Sequence, residues 1–255
     1  MMEQRISQSI WTLLTLFLIL SISACTTAPQ PMNEDLILEP YPLHGPPDPD
    51  NMTFLPIGTT QEKVLEKHQA ERQHTTSNQL YHASGDVYPR TDSLGPGMEL
   101  TAVMNAASEE PFQQTINLLS EEEIIFSVDA GKPSPALPLQ GLWSYEDHWV
   151  LEILYSDQET WQGRVYLDGE LLNQSRGYQD MFGFQLLASK PFYFFQRNDE
   201  LGFSYNGEEH YLPYEAILHH GCCSAAVLNP IQAENMVAFF AYTGDDWFYV
   251  ELGNY

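Results

Sequence analysis

The chain has 255 residues, 43% hydrophobic and 18% charged, with 10 Lys and Arg against 35 Asp and Glu and a net charge of −25. That imbalance excludes nucleic acid as a partner and excludes charge-driven docking on anionic headgroups, because both need clustered cations to displace counterions. An acidic exported surface suits a cationic or basic ligand instead.

Arg5 precedes an apolar stretch over residues 10–20, too short to span a membrane comfortably, and small residues follow it directly. This is the pattern of an export signal, which is removed before folding. Ile22-Ser23-Ala24-Cys25 resembles the lipobox of bacterial lipoproteins: an aliphatic residue, a small or β-branched one, a small one, then cysteine. An ordinary signal peptide wants a small residue where Ile22 stands. The resemblance covers the first 25 residues only. It implies cleavage after Ala24, a diacylglyceryl thioether on Cys25, and a mature protein held at a membrane of the cell envelope, outside the cytoplasm, by its lipid chains.

Residues 25–97 read as an acidic tether. Pro29, Pro31, Pro40, Pro42, Pro46, Pro47, Pro49 and Pro56 interrupt any periodic apolar face, so the segment buries too little to offset its ordering entropy. Within it, residues 60–74 form a short solvated helix, with Thr59 and Glu62 at capping-box spacing, Lys67 and Glu71 at i,i+4, and Val64, Leu65 and Ala70 as its apolar positions.

Residues 98–255 read as an all-β domain of meandering antiparallel hairpins, forming a sandwich, a partly closed barrel or a propeller-like sheet. Leu100, Ala102 and Met104 alternate, as do Ile124, Phe126 and Val128, and then Trp149, Leu151 and Ile153. Asp168-Gly169 and Asn206-Gly207 suit two-residue hairpin turns. Phe182, Phe184 and Leu186 should share one face, Phe192 to Phe195 should be buried on both, and Leu201, Phe203 and Tyr205 alternate again. A short helix is expected after Asn229, with Pro230 at its first position and Gln232 at its third. Strands over residues 236–242 and 247–252 follow. Trp143-Ser-Tyr145 with Trp149 and Glu152 is echoed by Phe240-Ala-Tyr242 with Trp247 and Glu251, which reads either as two similar hairpins or as blade-like repeats.

No G-x-S-x-G elbow, H-E-x-x-H helix or phosphate-binding glycine loop is present. The densest polar cluster is His219-His220-Gly221-Cys222-Cys223-Ser224. Adjacent side chains of extended backbone point opposite ways, so one ion held by all four side chains is not expected; a two-ligand site completed from elsewhere stays open, and no metal or cofactor is assigned. With Cys25 lipidated, Cys222 and Cys223 are the remaining thiols of an exported chain, and a vicinal disulfide competes with two separate thiols and with intermolecular pairing. His219, His220, Trp143, Trp161, Trp247 and Asp246 are the candidate ligand-facing residues. Aromatics flanked by Asp147, Glu159 and Asp246 suit sugar rings, although a core is the ordinary use of such side chains. The expectation is a noncatalytic binding or envelope-assembly module, for a glycan or a cationic ligand. The rival class is an enzyme: a glycan hydrolase with paired carboxylates or a thiol-redox protein using Cys222 and Cys223.

Overall fold

A computed structural model describes residues 30–32, 35–72, 90–93, 99–106, 112–157, 159–220 and 224–254. Cys25, Cys222 and Cys223 lie outside the described residues. The fold is all-β, built from antiparallel sheets packed face to face. Among the described residues, no helix is long and apolar enough to cross a membrane.

The N-terminal part contributes β1 (Gln30–Pro31), β2 (Ile37–Leu43) and the helix α1 (Gln61–Arg72). Two meanders follow: β3 (Arg90–Ser93), β4 (Glu99–Ala106), β5 (Gln114–Ser120) and β6 (Glu123–Gly131), then β7 (Leu139–Tyr145), β8 (His148–Ser156), β9 (Trp161–Leu167) and β10 (Glu170–Leu171). They join into one eight-stranded sheet through a parallel contact between Gly131 and Ser156. A Cβ at Gly131 would lie 2.0 Å from the Ser156 carbonyl oxygen, and its φ is +80°, so only glycine permits the join. After a one-turn helix α2 (Leu172–Arg176) comes a four-stranded meander, β11 (Asp180–Leu187), β12 (Lys190–Arg197), β13 (Glu200–Tyr205) and β14 (Glu208–Tyr211). The last sheet takes β15 (Ala216–Ile217), β16 (Ile231–Gln232), β17 (Met236–Thr243) and β18 (Asp246–Gly253), and adds β2 and β1 beside β18.

Each layer buries alternate residues on opposite sides. Leu151 and Ile153 of β8 pack toward β4 and β5, whereas Val150 faces Met181, Phe184, Tyr193 and Phe195. Phe192 and Phe194 point the other way, onto Val237, Phe239, Val250 and Leu252. The run Phe192 to Phe195 is therefore buried on both sides, as its unbroken aromatic character requires. Buried rings of this size contribute about 1.5–3 kcal/mol each, so the central sandwich carries most of the apolar stabilisation.

Four local expectations give way to the structure. The proline-rich stretch is not a tether over residues 37–43, which pair with β18 from Ile37 opposite Gly253 to Leu43 opposite Trp247. Pro42 spends its carbonyl on the Ile57 N–H, on the side away from β18, and its missing donor lies on that same side. Pro40 shares its parity, so neither proline removes a bond to β18. The β-rich unit accordingly begins well before residue 98. Helix α1 is capped one residue later than the spacing suggests: the Thr60 carbonyl takes the Val64 N–H and its hydroxyl lies 3.5 Å from the Lys63 N–H. Its buried side is Val64 with Leu65, and Lys67 reaches Glu39 on β2.

Phe182 and Phe184 do not share a face. The β11–β12 register shifts between Phe182 and Gln185, with Gly183 at φ +67°, and this bulge turns Phe182 and Phe184 to opposite sides. No helix follows Asn229. A short 3₁₀ turn (Ala225–Leu228), capped by the Ser224 hydroxyl, ends at Asn229, and the next residues are β16. The Asn229 side chain instead donates to the Leu218 and Phe240 carbonyls and accepts the Phe240 N–H, pinning the residues after β15 to β17.

Candidate functional site

Among the described residues, a group of His and Asp side chains close enough to share a metal ion lies where the start of β11 meets the residues leaving β15. Asp180 opens β11 opposite Gln196. Its Oδ1 accepts the Gly163 N–H at 2.6 Å, and a Cβ at Gly163 would sit 2.0 Å from the Met181 carbonyl, so β9 and β11 cross too closely for any side chain there. Asn173 completes the seam, accepting the Val165 N–H and donating to the Gly163 carbonyl. Asp180 is thereby held in one orientation, with Oδ2 left facing the His219–His220 turn.

Strand β15 ends at Ile217 and the backbone bends at His220, so the strict alternation of a strand does not bind these two side chains. Both imidazoles turn to the same carboxylate. His219 Nε2 lies 2.7 Å from Asp180 Oδ2, and His220 Nε2 lies 3.2 Å from the same oxygen. The His219 ring stacks on Phe182, with centroids 3.3 Å apart and planes 9° apart, and its Nδ1 bonds the Ile217 carbonyl at 2.6 Å. A carbonyl only accepts, so Nδ1 carries the proton. All three side chains are mostly but not fully covered, at 13–17% exposure, which leaves the turn an outlet to solvent. Burial works against ionisation of Asp180, but the hydrogen bonds from His219 and His220 outweigh it and hold the carboxyl well below its usual range. Burial is also the main reason that His220 is pushed down from the ordinary imidazole value.

Glu152, one layer away on β8, is the other buried carboxylate of the centre. Its two oxygens accept the Gly183 and Phe184 N–H groups at 2.8 and 2.7 Å, so it fills the concavity of the β11 bulge. Burial raises it to about 7, with those two N–H groups pulling the other way and the charge of Asp180 adding to the rise.

The other candidate residues are dispersed. Trp143 packs on Phe184, with centroids 5.1 Å apart, in the layer between β8 and β11. Trp247 lies against Tyr242 on the outer face of the last sheet, and Asp246 is exposed at the turn beside it. Trp161 starts β9 opposite Ser156. No shared stacking platform connects these three rings among the described residues, so the geometry does not gather them for a sugar. His219 and His220 come together, and Asp180, which no sequence signal singled out, completes them. A lone aspartate preceding an aromatic strand has no signature, since its partners lie 39 and 40 positions further on.

The chain matches no family model, no curated protein and no solved structure.

Proposed function

We propose that this chain is an envelope-anchored lipoprotein, held by lipid on Cys25, whose folded part is a noncatalytic binding module for a cationic ligand. The observation that carries this reading is the meeting of Asp180, His219 and His220 at a partly open seam of a strongly acidic protein. A hydrolase would need two carboxyl groups free to face a bound sugar. Glu152 instead commits both oxygens to backbone donors, and Asp180 commits one to Gly163 and the other to imidazoles. The exposed acidic turns, including Glu121 and Glu122, Glu146 and Asp147, and Asp245 and Asp246, raise the local concentration of cations around the module.

The test is calorimetric titration of the mature chain with zinc chloride, calcium chloride and an oligolysine peptide, using a chitooligosaccharide as the neutral control and an assay for released reducing ends. Saturable binding of a cationic probe without sugar release is expected. Tight binding of the neutral sugar, release of reducing ends, or indifference to every cationic probe would overturn the reading. The anchor is tested separately: Cys25→Ser should leave the fold intact and move the protein out of the membrane fraction, whereas an unmodified Cys25 thiol in the wild type would refute it.

A further inference from the structure

The three atoms that meet at the seam are all metal-ligand atoms once each imidazole is deprotonated at Nε2. His219 donates through Nδ1 to the Ile217 carbonyl, so in the neutral ring Nε2 presents its lone pair to Asp180 Oδ2 at 2.7 Å. His220 Nε2 converges on the same oxygen at 3.2 Å. Such a trio is held together either by protons, as in the hydrogen bonds that keep the Asp180 carboxyl low, or by one cation in their place. Tetrahedral coordination at bond lengths near 2.0–2.1 Å spaces ligand atoms by roughly 3.3 Å, which the pair His220–Asp180 already meets and the pair His219–Asp180 reaches by opening about half an ångström.

We propose that Asp180, His219 and His220 bind one divalent transition-metal ion, zinc in preference to calcium or magnesium, with a fourth position open to an outside ligand. The inference rests on the reading of a cationic ligand and narrows it to a metal. Two imidazole nitrogens among three donors suit zinc, copper or nickel, whereas calcium and magnesium require oxygen. The orienting bonds are those a ligand set needs. The Ile217 carbonyl fixes the His219 tautomer, Phe182 fixes its ring plane, and the Gly163 N–H fixes the carboxylate, so two of the three donors are aimed before the ion arrives. Partial exposure of all three side chains gives the ion a path in and leaves its remaining face toward solvent. Three protein ligands with an open position can take up a further Lewis base, such as a thiolate, an imidazole or a carboxylate of a partner. Asp180 belongs to the seam's backbone bonding, so the histidines are the cleaner sites for substitution.

The experiment uses the mature chain stripped with a chelator. Zinc should bind at one equivalent, calcium should not compete, and cobalt(II) should give the visible bands of a low-symmetry nitrogen and oxygen site that shift when imidazole is added. His220→Ala and His219→Ala should each weaken zinc by roughly 100-fold or more, with the β-sheet circular dichroism retained. As a measurement independent of any variant, zinc should protect His219 and His220 of the wild type from acylation by diethyl pyrocarbonate. Zinc affinity unchanged in both histidine variants, or both histidines modified equally with and without zinc, would overturn the proposal. Saturable oligolysine binding without zinc binding would overturn it too, while leaving the cationic-ligand reading standing.

Discussion

In hairpin β7–β8, Glu152 stands opposite Gly141, two residues before Trp143; in hairpin β17–β18, Glu251 stands opposite Ala238, two residues before Phe240. Both glutamates are buried, but their surroundings differ. Glu152 meets the bulge of β11 and accepts two backbone N–H groups, which makes its carboxylate part of the sandwich. Glu251 points to the outer face of the last sheet, beneath α1, where no backbone donor meets it as Gly183 and Phe184 meet Glu152. Burial raises it to about 7, offset in part by Lys67 and Tyr249 and reinforced by Glu39. One placement on a hairpin therefore yields a buried carboxyl bonded to two backbone donors in one layer and a buried carboxyl without them in the other, and the neighbouring layer decides which.

The comparison breaks most sharply by substitution. Glu152→Gln leaves one of two buried N–H groups without a good acceptor and should destabilise by about 3 kcal/mol. Glu251→Gln removes an ionisation that Lys67 and Tyr249 compensate only in part and should be neutral or stabilising by ~1–3 kcal/mol at pH 8. Urea unfolding of both variants decides this, and equal losses would show that the two sites are alike.

The pH dependence joins the two glutamates, both raised to about 7 by burial, and sets them against Asp180. A carboxyl raised in the fold binds its proton more tightly there than in the unfolded chain, so its contribution is fully present below the unfolded value of 4.5 and is lost as pH rises through about 7. For Glu251 the span sets an upper bound of about 3 kcal/mol between pH 4.5 and 7. Asp180 has the opposite sign: it is depressed, so its contribution is present above 3.8 and is lost as pH falls through its lower folded value. Stability measured between pH 5 and 8 should decline with rising pH, and Glu251→Gln should remove its share of that slope while leaving the share of Glu152. An unchanged slope would mean that Glu251 is ionised without penalty.

A smaller effect is expected at the residues opposite the glutamates. A methyl at Gly141 would lie 1.9 Å from the Trp143 ring, so Gly141→Ala must displace the indole from its place on Phe184, for roughly 1–3 kcal/mol. Ala238 already carries that methyl, with Phe240 two residues on. Trp143 fluorescence unaltered in Gly141→Ala would refute the account. Smallest of all on stability should be Cys222→Ser with Cys223→Ser, since a two-residue loop constrains little unfolded-state entropy. The vicinal disulfide itself is checked by intact mass, with alkylation at both cysteines expected only after reduction; free labelling in the aerobically purified protein would remove it.

The echo between the two hairpins named both glutamates but not their burial, and its uneven gaps put Trp149 opposite Ser144 where Trp247 stands opposite Tyr242. Alternation also located β4, β6, β8 and β13, whose alternate residues share a layer, as Leu151 and Ile153 or Leu201 and Phe203 do. What alternation could not reveal was phase. The bulge at Gly183 reverses it inside β11, and only the Glu152 carboxylate on another strand explains why the bulge persists. Proline density concealed β2, because the reading weighed the number of prolines and not their shared parity. Asp180 stayed hidden for a related reason: its role exists only once β15 ends and two neighbouring histidines stop alternating.

The pairing of β2 with β18 also sets an order of events. Tyr41 finds its partner at Tyr249, so a chain delivered N-terminus first presents Ile37–Leu43 long before its main partner strand exists. Through that interval Leu38 and Tyr41 have no sheet to join, and an unpaired strand edge invites pairing with the wrong neighbour. Pro40 and Pro42 then serve a second purpose. On the side away from β18 they offer no donors, so a waiting β2 is a poor template for a foreign strand along that edge, yet it keeps every donor that its own late partner will use.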